Sequence, residues 1–231
     1  MKIDVVILAA GKGNRLKPIT DKTPKSLIKI GGECILKKTL DGLDPNKVGD
    51  VFIITKHLEE KIENFIEKNR KKYLFNIIKI SQGKIKGTYG ALASVKKLLS
   101  GWFIVINGDD IHSAKDLKKF FKEKNQIGVS KKESKYFEVI FDKNKNFKKF
   151  KRDSQNKKRF IATGCYTLNK EFFNFKPEKT SEGEFGIPQT IESNISKIKP
   201  KVVIENNWDQ LNTHQDLDYL REKYLIPNQI Q

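Results

Sequence analysis

The stretch IDVVILAAGKGNRLKPITDKTPKSL, residues 3–27, decides the fold of this chain. It opens with an apolar, β-branched run over residues 3–9, which is typical of a parallel strand buried on both faces. The run leads into a loop that carries Gly11 and Gly13. Glycine lets the backbone approach a phosphate closely and direct its N–H groups at it. The stretch therefore predicts a phosphate-binding loop at the carboxyl edge of an α/β sheet.

Basic side chains in the same stretch support this interpretation. Arg15 follows the glycines and can bind phosphate oxygens through paired hydrogen bonds. Lys25 comes ten residues later, directly after Pro24, and supplies a compact positive charge. The loop is neither a Walker loop, which needs Gly-Lys-Ser/Thr, nor a dinucleotide fingerprint, which needs a third glycine. An ordinary turn with solvated basic residues is the alternative, and the full spacing favours a functional loop.

The rest of the chain separates into two parts of different character. Short strands and helices alternate up to residue 127, which predicts an α/β domain with a mainly parallel sheet flanked by helices. Beyond it, strand-like runs follow one another with few helices between them. We predict one domain over residues 1–231, with a nucleotide-binding half, 1–127, and a β-rich substrate-binding half, 128–231. The predicted strands are 3–9, 51–55, 76–80, 102–106, 128–130, 137–141, 147–151, 160–168 and 202–205, and the predicted helices are 35–43, 58–73, 90–99, 114–124, 170–173, 187–195 and 215–224.

A second glycine-containing stretch, QGKIKGTYGAL, covers residues 82–92 and opens a predicted helix. The side-chain amide of Gln82 offers both a donor and an acceptor, which suits recognition of a nucleotide base. Gly87 follows five residues later. A helix N-terminus whose small residues serve close packing is the alternative, and both interpretations stay open at this point.

Carboxylates follow a predicted strand in the segment VINGDD, residues 105–110. Mg²⁺ prefers hard oxygen ligands, commonly one or two carboxylates together with substrate phosphates. The segment therefore predicts a magnesium site at the edge of the sheet where ligands bind. Asp110 also suits a turn or the N-cap of the following helix.

Residues 8–27 closely resemble the signature of the sugar-phosphate nucleotidylyltransferases. That family includes glucose-1-phosphate thymidylyltransferases and mannose-1-phosphate guanylyltransferases, with choline-phosphate cytidylyltransferases as relatives. The resemblance implies a Rossmann-like fold and a Mg²⁺-dependent reaction. In that reaction a phosphate oxygen of the substrate attacks the α-phosphorus of an NTP, and pyrophosphate leaves.

The resemblance also assigns site residues. Arg15 would stabilise the departing pyrophosphate, and Lys25 would bind phosphate at the reacting centre. Asp109, directly after Gly108, would bind Mg²⁺ and so contact the nucleotide. The remaining positions that the resemblance assigns to the nucleotide are Ala9, Ala10, Gly11, Gly13, Gln82 and Gly87.

The stretch WDQLNTHQDL, residues 208–217, stands where many relatives carry a second metal-binding aspartate. Aligned on residues 213–217, the positions of that aspartate fall on Asn212 and Gln210, and neither is a carboxylate here. An asparagine oxygen can ligate Mg²⁺, although more weakly because it is neutral. We expect Asn212 to be the second ligand, with Asp209, one residue out of register, as the alternative. A helix cap without a functional role is the other interpretation.

The substrate-binding half carries a fainter resemblance. The segment 163–166 is similar to the family's glycine-containing strand beside the sugar, which assigns Gly164 to the substrate. The segment 183–185 is similar to its Gly-Glu-aromatic element, which assigns Glu184 to sugar hydroxyls. The family's Glu-Lys-Pro element is missing, and residues 150–152 stand in its place, with Lys151 as a candidate for the substrate phosphate.

The missing Glu-Lys-Pro element puts the identity of the acceptor substrate in question. We expect transfer of NMP to a sugar 1-phosphate, which gives an NDP-sugar for nucleotide-sugar biosynthesis. A cytidylyltransferase acting on a non-sugar phosphate such as phosphocholine is the alternative. The base and the acceptor are both left open by the sequence.

The net charge of +18 is the most unusual bulk property of the chain. Such a charge attracts polyanions, including nucleic acid. The lysines are scattered, however, and no RNA-binding aromatic signature or helix-turn-helix pattern accompanies them, so we do not expect nucleic acid as a partner. A catalytically impaired polyanion-binding or regulatory protein remains the alternative from another class.

Other bulk features point to a cytoplasmic protein with no membrane partner. No apolar run approaches the ~20 residues of a membrane helix, and the N-terminus lacks the pattern of a signal peptide. Cys34 and Cys165 lie far apart and near no histidine pair, which argues against zinc or a disulfide framework. Homo-oligomer formation is left open.

Overall fold

The computed structural model describes residues 2–133, 138–151 and 158–225. The strands are β1 (Ile3–Leu8), β2 (Lys29–Ile30), β3 (Glu33–Cys34), β4 (Val48–Thr55), β5 (Ile77–Ser81), β6 (Trp102–Asn107), β7 (Asp110–His112), β8 (Gln126–Glu133), β9 (Glu138–Phe141), β10 (Phe147–Lys151), β11 (Lys158–Asn169), β12 (Glu178–Lys179), β13 (Phe185–Gly186), β14 (Lys201–Ile204) and β15 (Trp208–Gln210). The helices are α1 (Ile19–Lys22), α2 (Ile35–Gly42), α3 (Glu59–Asn69), α4 (Gly87–Ala93), α5 (Ala114–Leu117), α6 (Ile187–Ser193), α7 (Ile195–Ile198) and α8 (His214–Lys223). Short 3-10 helices cover Asn14–Leu16, Lys25–Leu27, Arg70–Lys72, Lys118–Phe121 and Lys170–Asn174.

The central element is a sheet in which β5, β4, β1 and β6 lie side by side and run parallel. Val6 of β1 packs in a cluster with Tyr89 of α4. Val5 and Ile7 belong to the cluster that contains Leu36 of α2. Both faces of β1 are therefore covered, which is why its sequence is apolar without interruption from Val5 to Leu8. The predicted α/β fold, with a parallel sheet between helices, is confirmed.

The sheet continues past β6 with strands from the second half of the chain. β11 pairs antiparallel with β6 through residues 165–169, and it also pairs antiparallel with β8 and β9. β10 extends the sheet beyond β9, and β14 runs parallel to β8. The β-rich character predicted for the second half is confirmed, and the two halves share one sheet because β11 pairs along β6.

Several boundaries differ from the sequence prediction. The helix predicted over 90–99 is α4, which begins at Gly87 and ends at Ala93, and the helix predicted over 114–124 is α5 followed by a 3-10 helix. The predicted strand 137–141 begins outside the described residues and coincides with β9 from Glu138. The antiparallel pair β7–β15 was not predicted, because strands this short carry no periodic pattern. No helix among the described residues has the length and apolar composition needed to span a membrane.

Gly87 marks a close backbone contact between the two halves. Its φ is +89°, and a Cβ there would lie 2.2 Å from the carbonyl oxygen of Phe185. We expect Gly87→Ala to lower the free energy of unfolding by about 3 kcal/mol, because backbone strain and a clash add together. Gly101→Ala is the matched control, since Gly101 has φ +67° but open space around a Cβ, so only about 1–2 kcal/mol of strain applies. Urea denaturation measures both, and equal losses would contradict the clash.

Candidate active site

The loops that follow β1 and β6 meet at the carboxyl edge of the sheet. Leu8 pairs with Asn107 in the parallel register, so both strands end at the same level. Gly108 donates its N–H to the carbonyl of Leu8 at 2.9 Å, and a Cβ on Gly108 would lie 2.8 Å from that oxygen. Glycine at 108 therefore lets the loop that carries Asp109 run against the loop that begins at Ala9.

The glycine loop between β1 and α1 is fixed by a hydrogen bond from Thr20 of α1. Thr20 is contacted in turn by the loop that follows β4. Gly13 has φ +66°, and its carbonyl accepts a hydrogen bond from Thr20 Oγ1 at 2.9 Å. A ring nitrogen of His57 lies 2.8 Å from the carbonyl oxygen of Thr20. A Cβ at Gly13 would lie 2.8 Å from Thr20 Cγ2, so this turn requires glycine both for its backbone conformation and for space.

Four of the predicted site residues come together beside this loop, and we call them the Lys25 cluster: Arg15, Lys25, Asp109 and Asn212. Lys25 Nζ donates to Asp109 Oδ2 at 2.5 Å and to Asn212 Oδ1 at 3.0 Å. Arg15 Nη2 donates to the same Asn212 oxygen at 2.9 Å. Only 13% of the Lys25 side chain and 25% of the Asp109 side chain are exposed, so these charges interact in a partly desolvated setting.

The oxygens of the cluster suit a magnesium ion. Asp109 Oδ2 and Asn212 Oδ1 both contact Lys25 Nζ, so they face a common point. One carboxylate and one amide oxygen are hard ligands of the kind that Mg²⁺ takes when substrate phosphates complete its shell. Within residues 2–133, 138–151 and 158–225, no group of three or more His, Cys, Asp or Glu residues is placed to hold a metal ion.

Asp209, the alternative metal ligand, lies in a different environment. Its carboxylate accepts hydrogen bonds from Lys132 at 2.9 Å, Lys223 at 2.6 Å and the Tyr224 hydroxyl at 3.0 Å. Burial raises the pKa of Asp209, but the two lysines outweigh it and hold the pKa below its usual range. The structure therefore brings Asn212, and not Asp209, to Lys25 and Asp109.

We expect Asp209→Asn to destabilise the protein by about 2 kcal/mol at pH 7, because it leaves two partly buried lysines without a counter-charge. The folded-state pKa is lowered, so the stabilisation is present above the unfolded pKa of about 3.9 and is lost as pH falls below it. Urea denaturation at pH 7 and at pH 3 measures this. A difference from wild type that persists undiminished at pH 3 would contradict the ionic origin.

Gln82, the candidate for base recognition, lies where β4 and β5 end. Gln82 donates its backbone N–H to Thr55 O at 2.7 Å, and its side-chain Nε2 donates to Ile85 O at 2.8 Å. Gly87 begins α4, whose next residue, Thr88, accepts the Ile187 N–H at 3.0 Å. The amide of Gln82 is thus fixed in orientation, and among the contacts of the described residues none joins it to the Lys25 cluster.

The substrate-side predictions fall in three places. Gly164, with φ +73°, faces the two ends of the loop at residues 108–109, which we call the metal loop after the candidate ligand Asp109. A Cβ on Gly164 would lie 2.2 Å from Asn107 Nδ2 and from Asp110 Oδ2. Glu184 is exposed and precedes Phe185, the residue that contacts Gly87. Lys151 is exposed at the end of β10, and Arg152 lies outside the described residues.

Asp110 stands between the metal loop and β11. It is fully buried, and burial together with the neighbouring charge of Asp109 raises the pKa of Asp110 well above its usual range. A carboxyl in this setting favours its neutral form. Although Asp110 and Asp109 are adjacent in the sequence, only Asp110 lies in a fully buried environment.

The fold places this chain in the class of α/β proteins whose ligand site lies beyond the carboxyl ends of parallel strands. The sequence pattern of the family described as Nucleotidyl transferase matches residues 4–225, so the chain belongs to that family. The resemblance to sugar-phosphate nucleotidylyltransferases is confirmed at this level.

Known relatives agree with this membership. The Bifunctional protein GlmU of Methanocaldococcus jannaschii is 31% identical over 230 residues, which are 97% of this chain and 54% of that protein. The chain thus spans about half the length of the curated relatives it matches.

Solved structures of low sequence identity share the fold. A UDP-glucose pyrophosphorylase complexed with UDP-glucose superposes with a TM-score of 0.82 at 15% identity, and the match covers 97% of this chain and 98% of that one. The CTP:phosphocholine cytidylyltransferase of Streptococcus pneumoniae superposes with a TM-score of 0.76 at 20% identity, covering 96% and 99%.

Proposed function

We propose that this chain is a Mg²⁺-dependent nucleotidylyltransferase that transfers NMP from an NTP to a sugar 1-phosphate, giving an NDP-sugar and pyrophosphate. The observation that carries the proposal is the Lys25 cluster, in which two cations and two oxygen ligands from distant parts of the chain meet beside a glycine loop. Family membership supports the reaction class, and the similarity to a UDP-glucose pyrophosphorylase supports a sugar phosphate.

The chemistry required of the chain is mainly charge neutralisation. One phosphate oxygen of the acceptor forms a bond to the α-phosphorus of the NTP, and the bond from that phosphorus to the bridging oxygen of pyrophosphate breaks. The acceptor oxygen is already anionic, so no side chain has to remove a proton from it. Two polyanions must nevertheless come together, and cations positioned in advance lower the cost of that approach.

Each member of the Lys25 cluster has a part in this scheme. Arg15 binds the β- and γ-phosphates and neutralises the charge that develops on departing pyrophosphate. Lys25 binds oxygens at the α-phosphate, where charge increases in the transition state. Asp109 and Asn212 would hold Mg²⁺, which supplies further neutralisation of the phosphates when it is bound. Gln82 would present its amide, fixed by Ile85 O, to the base.

The acceptor would lie on the side of β11 and β13. Gly164 is buried next to the metal loop, and Glu184 offers an exposed carboxylate to hydroxyl groups. A second candidate is a cytidylyltransferase that acts on phosphocholine. It is supported by the missing Glu-Lys-Pro element and by the similarity to the phosphocholine cytidylyltransferase.

Pyrophosphate release in a matrix of substrates tests the proposal. ATP, CTP, GTP, UTP and dTTP are each combined with glucose 1-phosphate, N-acetylglucosamine 1-phosphate, mannose 1-phosphate and phosphocholine, with Mg²⁺ or with EDTA. Release with a sugar 1-phosphate that stops in EDTA is the expected result. Release only with CTP and phosphocholine would favour the second candidate. Salt-sensitive binding of polyanions with no release in any combination would favour a non-catalytic protein.

A further inference from the structure

Asn212 owes its position to a residue outside the Lys25 cluster. Asp216 lies in the first turn of α8, and its Oδ2 accepts the backbone N–H groups of Asn212 and Thr213, both at 2.8 Å. Thr213 Oγ1 in turn accepts the N–H of Asp216 at 3.2 Å. This is a capping box with Asp216 at the third helical position. The same carboxylate also accepts the N–H of Asn212, the residue before the N-cap Thr213.

Leu211, the residue before Asn212, is hydrogen-bonded to the metal loop. Leu211 donates its N–H to the carbonyl of Asp109 at 3.0 Å. Asn212 is therefore held from both sides, by Asp109 through Leu211 and by Asp216 directly. Asn212 is only 5% exposed, and its Oδ1 accepts hydrogen bonds from Arg15 and from Lys25. The orientation of its backbone decides whether one oxygen can meet both cations.

We propose that Asp216 is a positioning residue, which fixes the backbone of Asn212 so that the Asn212 oxygen can orient Arg15 and Lys25. The carboxylate does two things that an ordinary helix cap does not combine: it begins α8 and it sets a member of the cluster. The kinetic test of this inference rests on the proposed function, whereas the spectroscopic test below does not.

The capping box offers a matched pair of variants. Asp216→Ala removes the acceptor of the Asn212 N–H, whereas Thr213→Ala removes the other half of the box and leaves that acceptor in place. We expect both to lower Tm by a similar amount. Only Asp216→Ala should lower kcat/KM, by about 10-fold to 100-fold, which is the usual cost of removing a group that orients a metal ligand. Asp216→Asn retains a carbonyl oxygen for both N–H groups and should restore most of the activity.

A double-mutant cycle separates positioning from general stability. If Asp216 acts through Asn212, then Asp216→Ala has no further effect on kcat/KM in an Asn212→Ala background. An undiminished effect in that background would overturn the proposal, as would equal losses of kcat/KM in Asp216→Ala and Thr213→Ala. Asp218→Ala, an exposed change on the same helix, serves as the neutral control.

A readout without turnover keeps this inference distinct from the proposed function. The side-chain amide of Asn212 can be assigned in a ¹⁵N–¹H spectrum by comparison with Asn212→Ala. We expect its resonance to move further in Asp216→Ala than in Thr213→Ala, which alters a residue next to Asn212 but keeps the acceptor of its N–H. A wild type that releases no pyrophosphate with any substrate would refute the proposed function. An Asn212 resonance unmoved by Asp216→Ala would refute the positioning role.

Discussion

Lys25→Ala should lower kcat for pyrophosphate release by about 10²–10³, the usual cost of removing one donor aimed at developing charge. Lys25 Nζ is the atom that contacts both Asp109 and Asn212, so its loss removes the centre of the cluster. Lys25→Arg should recover only part of the activity, because a planar guanidinium does not replace a compact ammonium group. Steady-state release assays with the best substrate pair measure the effect.

Lys79→Ala is the matched control for Lys25→Ala. Lys79 also forms an ion pair, with Glu63 at 3.0 Å, and 23% of its side chain is exposed, but it lies on β5 away from the glycine loop. It should change kcat by less than about twofold, since an exposed ion pair contributes less than about 1 kcal/mol to stability. A folded Lys25→Ala protein with a near-normal rate would contradict the proposed role of Lys25.

Asp109→Asn should have an effect of about 10³ on kcat, which corresponds to about 4 kcal/mol of transition-state stabilisation. The amide keeps the shape of the side chain but removes its charge, and a neutral oxygen binds Mg²⁺ more weakly. The Mg²⁺ concentration for half-maximal activity should therefore rise as kcat falls. Titration of Mg²⁺ at saturating NTP separates the two effects.

Asp109→Asn has a second consequence that can be controlled. The variant also breaks the ion pair with Lys25, so part of its effect could come from a displaced lysine. Glu63→Gln breaks an ion pair of a lysine at a distance from the site and measures the cost of that change alone. If Asp109→Asn loses activity without any shift in its Mg²⁺ dependence, the carboxylate acts on Lys25 and not on the metal.

Much of the candidate site could be predicted because its residues follow strands at short, fixed spacings. Arg15 and Asp109 come soon after β1 and β6, and adjacent parallel strands deliver their following loops to the same edge. Other members could not be found this way. Thr20 and His57 support the loop through single contacts to carbonyl groups, which leave no pattern in the sequence.

The proposed second magnesium ligand also depends on both sequence and tertiary structure. Asn212 and Asp209 were both candidates from sequence, and the register of the family signature favoured Asn212, although a carboxylate is the stronger ligand for Mg²⁺. The structure separates them because Asp209 lies within β15 and pairs with Lys132 and Lys223, whereas Asn212 lies just beyond β15, against the metal loop. The choice between them depends on the pairing of β7 with β15, which a short segment does not encode by its own periodicity.

By itself, the sequence determined the class of fold, the glycine loop and the family, because apolar periodicity and glycine spacing act locally along the chain. Tertiary structure decided which polar groups share a point in space. Lys25 and Asn212 are 187 positions apart, and Asp216 acts on the site only because α8 begins beside the metal loop. Hydrogen bonds operate over about 3 Å, so long-range chain packing sets which residues can form them.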